Sequence, residues 1–340
     1  MARSRIGGLI GIGAVTVIVI ATAIILSSKG PLSGNTLVIG DEPQVAFLAF
    51  QPGRLAELYV YDHGTKENIK LTQTNGRVRL AVWSPDGGYI AFIHQPKGKD
   101  GVMYRLDVTN GELLQLTQED SPACYDPAWS PNGSLIACTV SGSSPGDGEI
   151  ILVQTDGSGH TSLTRGTSPF WSADSSRLIF IYDPEPDNPE TNPDIASINI
   201  NDGLISTLAT MEGFEDRPKW SPDESLIAYV ENHYGSIPGG VEYQTLKIWD
   251  GENALTVAEQ LTNGTKFEWS PDGTALRFLG CEYHVAAGET DCWNEGAVAY
   301  SLDNTQIAVV RDQTICIIPQ SMNENCTQLP NGIIQLVGWR

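Results

Sequence analysis

Basic residues are scarce in this sequence. Twenty Lys and Arg stand against 41 Asp and Glu, for a formal net charge of −21. A surface of that sign repels phosphate backbones, which excludes nucleic acid as a partner and leaves cationic partners, divalent ions or plain solvent. Histidine is sparse too: His63, His94, His160, His233 and His284 are the only five. None sits in H-E-x-x-H or at i, i+4 spacing on a helix, so a zinc hydrolase has no ligands here. C-x-x-C is absent, which removes a cysteine zinc site. No nucleophile elbow set between a strand and a helix is found. Beyond residue 40 the 3.6-residue periodicity of an amphipathic helix is missing as well. No catalytic, cofactor-binding or metal-binding residue is assigned, and no catalysis is expected.

What is present begins with Ile6–Leu26, 21 residues without a charge, behind Arg3 and Arg5. That length suits one transmembrane helix and exceeds the apolar region of a cleaved signal. The two arginines would hold the N-terminus in the cytoplasm. The expected layout is a cytoplasmic N-terminus and anchor over 1–28, a linker over 29–35 and an exported domain over 36–340. The protein would then be a single-pass protein of the cell membrane. Gly7 and Gly11 have the spacing that pairs such helices, so an oligomer is an option.

The six cysteines fall into three local pairs, Cys124 with Cys138, Cys281 with Cys292 and Cys316 with Cys326. Cys124 and Cys138 flank a turn whose two strands would bring them face to face. Three disulfides in an oxidising compartment are expected.

The remaining sequence repeats itself. "WSPDGGYIAFI" from Trp83 returns as "WSPNGSLIACT" at Trp129, "WSADSSRLIFI" at Trp171, "WSPDESLIAYV" at Trp220 and "WSPDGTALRFL" at Trp269, at intervals of 46, 42, 49 and 49 residues. In each copy a strand ends in Trp-Ser, and a tight turn follows in which proline and Asp-Gly suit the reversal. An apolar strand comes next, then an alternating strand closing on Asp ("LYVYD", "MYRLD", "LKIWD"), then a short strand closing on "LT". "YSLDNTQIAVV" from Tyr300 continues the frame, and "IIQLVGW" ends in Trp339 like a first strand with nothing after it. Such spacing marks the four-stranded blade of a β-propeller. The expected fold is all-β, a closed propeller of seven blades with six as the alternative. "IIQLVGW" completes the first blade, a place for which "TLVIG" (36–40) competes. The stretch between Trp269 and Tyr300 makes a short blade stapled by Cys281 and Cys292.

These residues resemble the TolB-type WD-like propeller repeat, whose pattern reads W-S-P-D-G, I-A-F, L-Y-V-x-D and L-T. The resemblance covers about 36–340 and implies the fold. Related repeats occur in TolB of the Tol–Pal envelope system, in prolyl oligopeptidase-type enzymes and in some lyases. The metal ligands that those lyases need find no matching motif here.

A residue demanded identically in every blade serves packing. Trp83, Trp129, Trp171, Trp220, Trp269, Tyr300 and Trp339 are therefore blade-packing residues, each ring burying roughly 150–250 Å². "DPEPDNPETNPD" (183–194) is a stiff acidic loop that could hold calcium or a partner, although the EF-hand pattern is absent. The function expected is a membrane-anchored, extracytoplasmic scaffold that binds another protein without catalysis. The alternatives are a structural subunit of an envelope assembly, or an enzyme or carbohydrate-binding module at the channel mouth, with calcium.

Overall fold

Each Trp-Ser phrase ends the first strand of a four-stranded antiparallel sheet. The computed structural model describes residues 44–339, apart from 51–55, 63–64, 74–75, 120, 122, 141–147, 186–191, 211–212, 236–239, 293–296, 301–305, 312–313, 320–324 and 329–332. Sheet 1 contains β1 (Gln44–Phe50), β2 (Glu57–Asp62) and β3 (Glu67–Lys70). Sheet 2 contains β4 (Gly76–Trp83), β5 (Tyr89–Pro96), β6 (Val102–Asp107) and β7 (Leu113–Gln115). Sheet 3 contains β8 (Cys124–Trp129), β9 (Leu135–Val140), β10 (Glu149–Gln154) and β11 (His160–Arg165). Sheet 4 contains β12 (Thr167–Trp171), β13 (Arg177–Tyr182), β14 (Asp194–Asn199) and β15 (Ile205–Ala209). Sheet 5 contains β16 (Glu215–Trp220), β17 (Ile227–Tyr234), β18 (Val241–Trp249) and β19 (Ala254–Leu261). Sheet 6 is short: β20 (Phe267–Trp269), β21 (Ala275–Phe278), β22 (Cys281–His284) and β23 (Glu289–Cys292). Sheet 7 contains β24 (Ala297–Tyr300), β25 (Gln306–Arg311), β26 (Thr314–Pro319) and β27 (Asn325–Gln328). Six sheets thus come from consecutive strands. Sheet 1 alone borrows its first strand, β28 (Ile333–Trp339), which pairs antiparallel with β1. "TLVIG" lies outside the described residues.

The turn after each tryptophan is held by the serine of the phrase and the Asp, or after Trp129 the Asn132, two residues after it. Ser84 Oγ donates to Asp86 Oδ1 at 2.6 Å and accepts from the Tyr89 amide at 2.9 Å, while Asp86 Oδ1 accepts from the Gly88 amide. Ser172 with Asp174, Ser221 with Asp223 and Ser270 with Asp272 repeat the arrangement. The next position lies in the left-handed region, with Gly87 at φ 68°, and glycine suits it. Ser175 (φ 62°) and Glu224 (φ 60°) occupy it without being glycine. Both reach the sheet before their own. Ser175 Oγ accepts from the Asn132 amide at 3.1 Å, and Glu224 accepts from the Ala173 amide at 3.0 Å and pairs with Arg177. The strain of a side chain at positive φ is offset by a fastener between sheets.

Apolar residues alternate along the inner strands and fill the seams. Phe92 and Leu106 pack on Leu48 and Leu58 between sheets 1 and 2, and Phe180 and Leu178 on Ile150 and Leu152 between sheets 3 and 4. Trp83, Trp129, Trp171, Trp220 and Trp269 all sit in such seams. Tyr300 and Trp339 end β24 and β28, the equivalent strand ends, and their side chains lie outside the description.

The expected closed propeller behind a membrane anchor is corrected on two counts. Residues 1–28 and the linker 29–35 lie outside the described residues, and among the described residues there is no helix at all, hence none long and apolar enough to cross a membrane. An uncharged run of the right length meets a length criterion without establishing what the run does. The anchor, the single-pass membrane location, the cytoplasmic N-terminus and partnership with a membrane are therefore withdrawn. Secondly, the described packing is an arc. Apolar clusters join sheet 7 to sheet 1 and continue seam by seam to sheet 6, but among the described residues none joins sheet 6 to sheet 7.

Candidate functional site

Three residues before Trp83, Trp129, Trp171 and Trp220 the first strand departs from regular pairing, whereas the strand ending at Trp269 pairs regularly. Register shifts fall between Arg79 and Val82, Tyr125 and Ala128, Thr167 and Phe170, and Asp216 and Lys219. The bulged residues Leu80, Asp126, Ser168 and Arg217 all adopt positive φ, between 50° and 57°. A bulge with one residue in this region re-aims its side chain, at a cost of about 1–3 kcal/mol where the residue is not glycine. The same deformation in four consecutive sheets turns these four side chains toward one cavity of about 500 Å³, which Lys266 of sheet 6 also lines.

Unlike the tryptophans, these residues differ from sheet to sheet, and their polar groups are tied together. The Ser168 amide donates to Thr139 Oγ1 at 3.0 Å, and its hydroxyl donates to Asp216 Oδ1 at 2.7 Å. The other Asp216 oxygen lies 3.4 Å from Arg217 Nε. Arg217 Nη1 donates to the Thr265 carbonyl at 2.7 Å and Nη2 to Gln244 Oε1 at 2.8 Å. Gln244 is fully buried and passes its own amide to Asn232. One continuous polar line therefore crosses sheets 3, 4, 5 and 6.

Two lysines, an aspartate and a glutamate complete the lining. Lys219 Nζ donates to the Phe267 carbonyl at 2.8 Å between the rings of Phe170 and Phe267. Burial pulls its amine below the usual lysine range, and does the same to Lys266. Burial first, and then the charge of Asp216, push the Asp126 carboxyl up, against the pull of Arg217 and Lys219. The cavity thus offers cations from sheets 5 and 6 and carboxyls from sheets 3 and 6, Asp126 and Glu268, which suits recognition of a polar, charged ligand. Among the described residues no histidine lines it, and no cluster of His, Cys, Asp or Glu could hold a metal ion. The central part of the acidic loop 183–194 lies outside the description; Asp183 caps the Glu185 amide at 2.9 Å in the part that is described. Gly142–Gly146 has G-x-S-x-G spacing, but it falls between β9 and β10 with no helix after it and lies outside the described residues.

The cysteines are joined as Cys124–Cys138, Cys281–Cys292 and Cys316–Cys326. Cys281 and Cys292 are register partners in sheet 6, as Cys316 and Cys326 are in sheet 7. Cys124 instead faces Val140: the hairpin pairs Trp129 with Ile136, a register that would carry Cys124 beyond Val140, and the bulge between Tyr125 and Ala128 brings it one residue back toward Cys138. Its bond to Cys138 runs diagonally over a Cα–Cα distance of 5.7 Å.

Sequence reading did not find the cavity residues. A bulge breaks the alternation on which strand faces are assigned. One signal was there: Pro127, Pro169 and Pro218 each follow the bulged residue, and proline inside a strand marks such an irregularity.

No family model matches the chain. A TolB homolog of Chlorobaculum tepidum is 28% identical over 135 residues, 40% of this chain and 29% of that protein. The uncharacterized peptidase YuxL of Bacillus subtilis is 34% identical over 97 residues, 28% of this chain and 14% of that protein. The chain thus spans less than a third of either relative. The uncharacterized protein Atu1656 of Agrobacterium fabrum is 24% identical over 237 residues, 68% of this chain and 75% of its own length. Among solved structures, TolB from Acinetobacter baumannii superposes with a TM-score of 0.55 at 17% identity, covering 91% of this chain and 68% of that one. An oligogalacturonate lyase in complex with manganese gives 0.54 at 13%, covering 89% and 97%. With TolB homologs alike in sequence and a solved TolB alike in architecture, the chain has a TolB-like β-propeller fold.

Proposed function

We propose that this protein is a protein-interaction scaffold that performs no chemistry of its own. The residues common to the repeats are spent on packing, and the residues that differ are gathered at one cavity. The observation that carries the reading is how those polar groups are engaged. Arg217 and Lys219 give hydrogen bonds to backbone carbonyls, and the Ser168 hydroxyl faces a carboxylate already paired with a guanidinium. A nucleophile needs a free base beside it and a third group to orient that base. These groups are fixed as a template instead. Likeness to TolB homologs supports the same reading, and three disulfides suit an oxidising compartment.

A photoreactive amino acid placed at Asp126 or Lys266 in the native host tests it. A discrete protein adduct is expected from both positions and none from Thr256 on the outer strand β19. Turnover in a panel of hydrolase and lyase substrates, lost in Asp126→Asn, would replace the scaffold with an enzyme.

A further inference from the structure

Sheets 5 and 6 differ in length on one rim. β17 has eight residues and β18 nine, whereas β21 and β22 have four each and are joined by the two-residue turn Leu279-Gly280. Four residues of strand are about 13 Å, so the β17–β18 hairpin stands above its neighbour as a step.

Alternation and register decide what the step shows. Ala228 and Val230 of sheet 5 pack on Phe267 and Leu276 of sheet 6. Next on that face come Asn232 and Gln244, covered by Arg217 and by the Gly264 amide. Beyond them comes Tyr234. Phe214 joins it, because its carbonyl accepts from the Asn232 amide. The two rings meet edge to face, with centroids 5.1 Å apart. Tyr234 is 49% exposed, Phe214 47% and Leu279, at the foot of the step, 54%; these are three of the five exposed large apolar side chains among the described residues. Solitary exposed apolar residues are ordinary, but a gathered aromatic pair is not.

The charges beside the rings have one sign. Asp216 shares the face of Phe214, and its charge adds to burial in raising the Tyr234 hydroxyl. Glu242 closes over Gly235, where a Cβ would stand 2.7 Å from Glu242 Oε2. Arg217, the nearby cation, has its donors engaged within the fold. The geometry points to this step as a docking site for a protein segment that carries an aromatic or large apolar anchor flanked by Lys or Arg. The anchor meets Phe214 and Tyr234, where aromatic rings contribute most to binding, and the flanking cations meet the exposed Glu242. This site deepens the scaffold reading and rests on it.

Two labelled decapeptides, one alternating Lys with Trp and Leu, the other carrying Glu for each Lys, are titrated into the full chain at physiological salt by fluorescence anisotropy. The cationic peptide is expected to bind and the acidic one not. Phe214→Ser with Tyr234→Ser weakens binding about tenfold, and Leu255→Ser, an exposed control on β19, leaves it unchanged. Equal affinities in all three proteins would overturn the site, as would binding of a neutral oligosaccharide lost in the same double variant. Both substituted rings are exposed, so an unchanged melting temperature verifies folding. A photoreactive residue at Tyr234 separates the two readings. Capture of a partner from Asp126 but not Tyr234 retires the step and leaves the scaffold, and capture from neither retires both.

Discussion

The indole Nε1–H of Trp171 donates to the backbone carbonyl of Ala128 at 2.9 Å, across the seam between sheets 4 and 3. Ala128 immediately precedes Trp129, whose own indole donates to Val82, the residue before Trp83. Trp269 reaches the Lys219 carbonyl, just before Trp220, in the same way. At Trp129, Trp171 and Trp269 the ring is therefore a wedge with one directed bond, which explains tryptophan there in preference to phenylalanine.

Replacing Trp171, which is 4% exposed, separates these two roles. Trp171→Phe keeps most of the wedge and strands a carbonyl, and is expected to cost about 1–2 kcal/mol. Trp171→Ala also empties the seam and costs about 3–5 kcal/mol. Urea denaturation of both variants measures the difference; equal losses would mean that the hydrogen bond contributes nothing.

Glu224 is expected to respond oddly to truncation. Glu224→Ala loses the bonds to Arg177 and the Ala173 amide while keeping a side chain at φ 60°, so it destabilises. Glu224→Gly loses the same bonds but relieves the backbone, and recovers about 1 kcal/mol relative to the alanine variant. Chemical denaturation of the pair checks this order, and a less stable glycine variant would refute it.

Glu215 gives a pH signature. It is 6% exposed, stands opposite Glu231 in register, and its Oε2 accepts no hydrogen bond. Burial above all, with the Glu231 charge, raises its carboxyl, opposed by backbone hydrogen bonds and by Lys247, which pairs with Glu231. A raised folded-state value means that the ionised form is disfavoured by folding. The penalty is absent below the unfolded value of about 4.3 and complete once pH exceeds the folded one. Glu215→Gln is therefore expected to gain stability relative to wild type at neutral pH, with the gap closing as pH falls toward about 4. Melting curves across that range test it, and a gap independent of pH would contradict it.

Much of this architecture is legible in the sequence because it is repeated. Trp83 to Trp269 mark strand ends at one spacing, and Ser with Asp or Asn marks the turn that follows. Local pairing of the cysteines is readable for the same reason, since each pair lies within one repeat. The cavity is not readable in this way. Asp126, Ser168 and Arg217 sit where an extra residue interrupts alternation, so a period of two assigns them to the wrong face. Cys124 misses direct opposition for a different reason: the turn sets Trp129 against Ile136, and the bulge returns only one residue of that offset. The exposed step escapes notice for another reason. It arises from the difference in length between two hairpins, and neither hairpin alone reports it.

The polar line from Thr139 through Ser168 and Asp216 to Arg217 and Thr265 has a mechanical consequence. It acts as a strut across four blades, so none of them can swing outward without parting groups already withdrawn from water. The opening it borders is a fixed gauge. An incoming molecule must match its width, and little motion is left to freeze once it arrives.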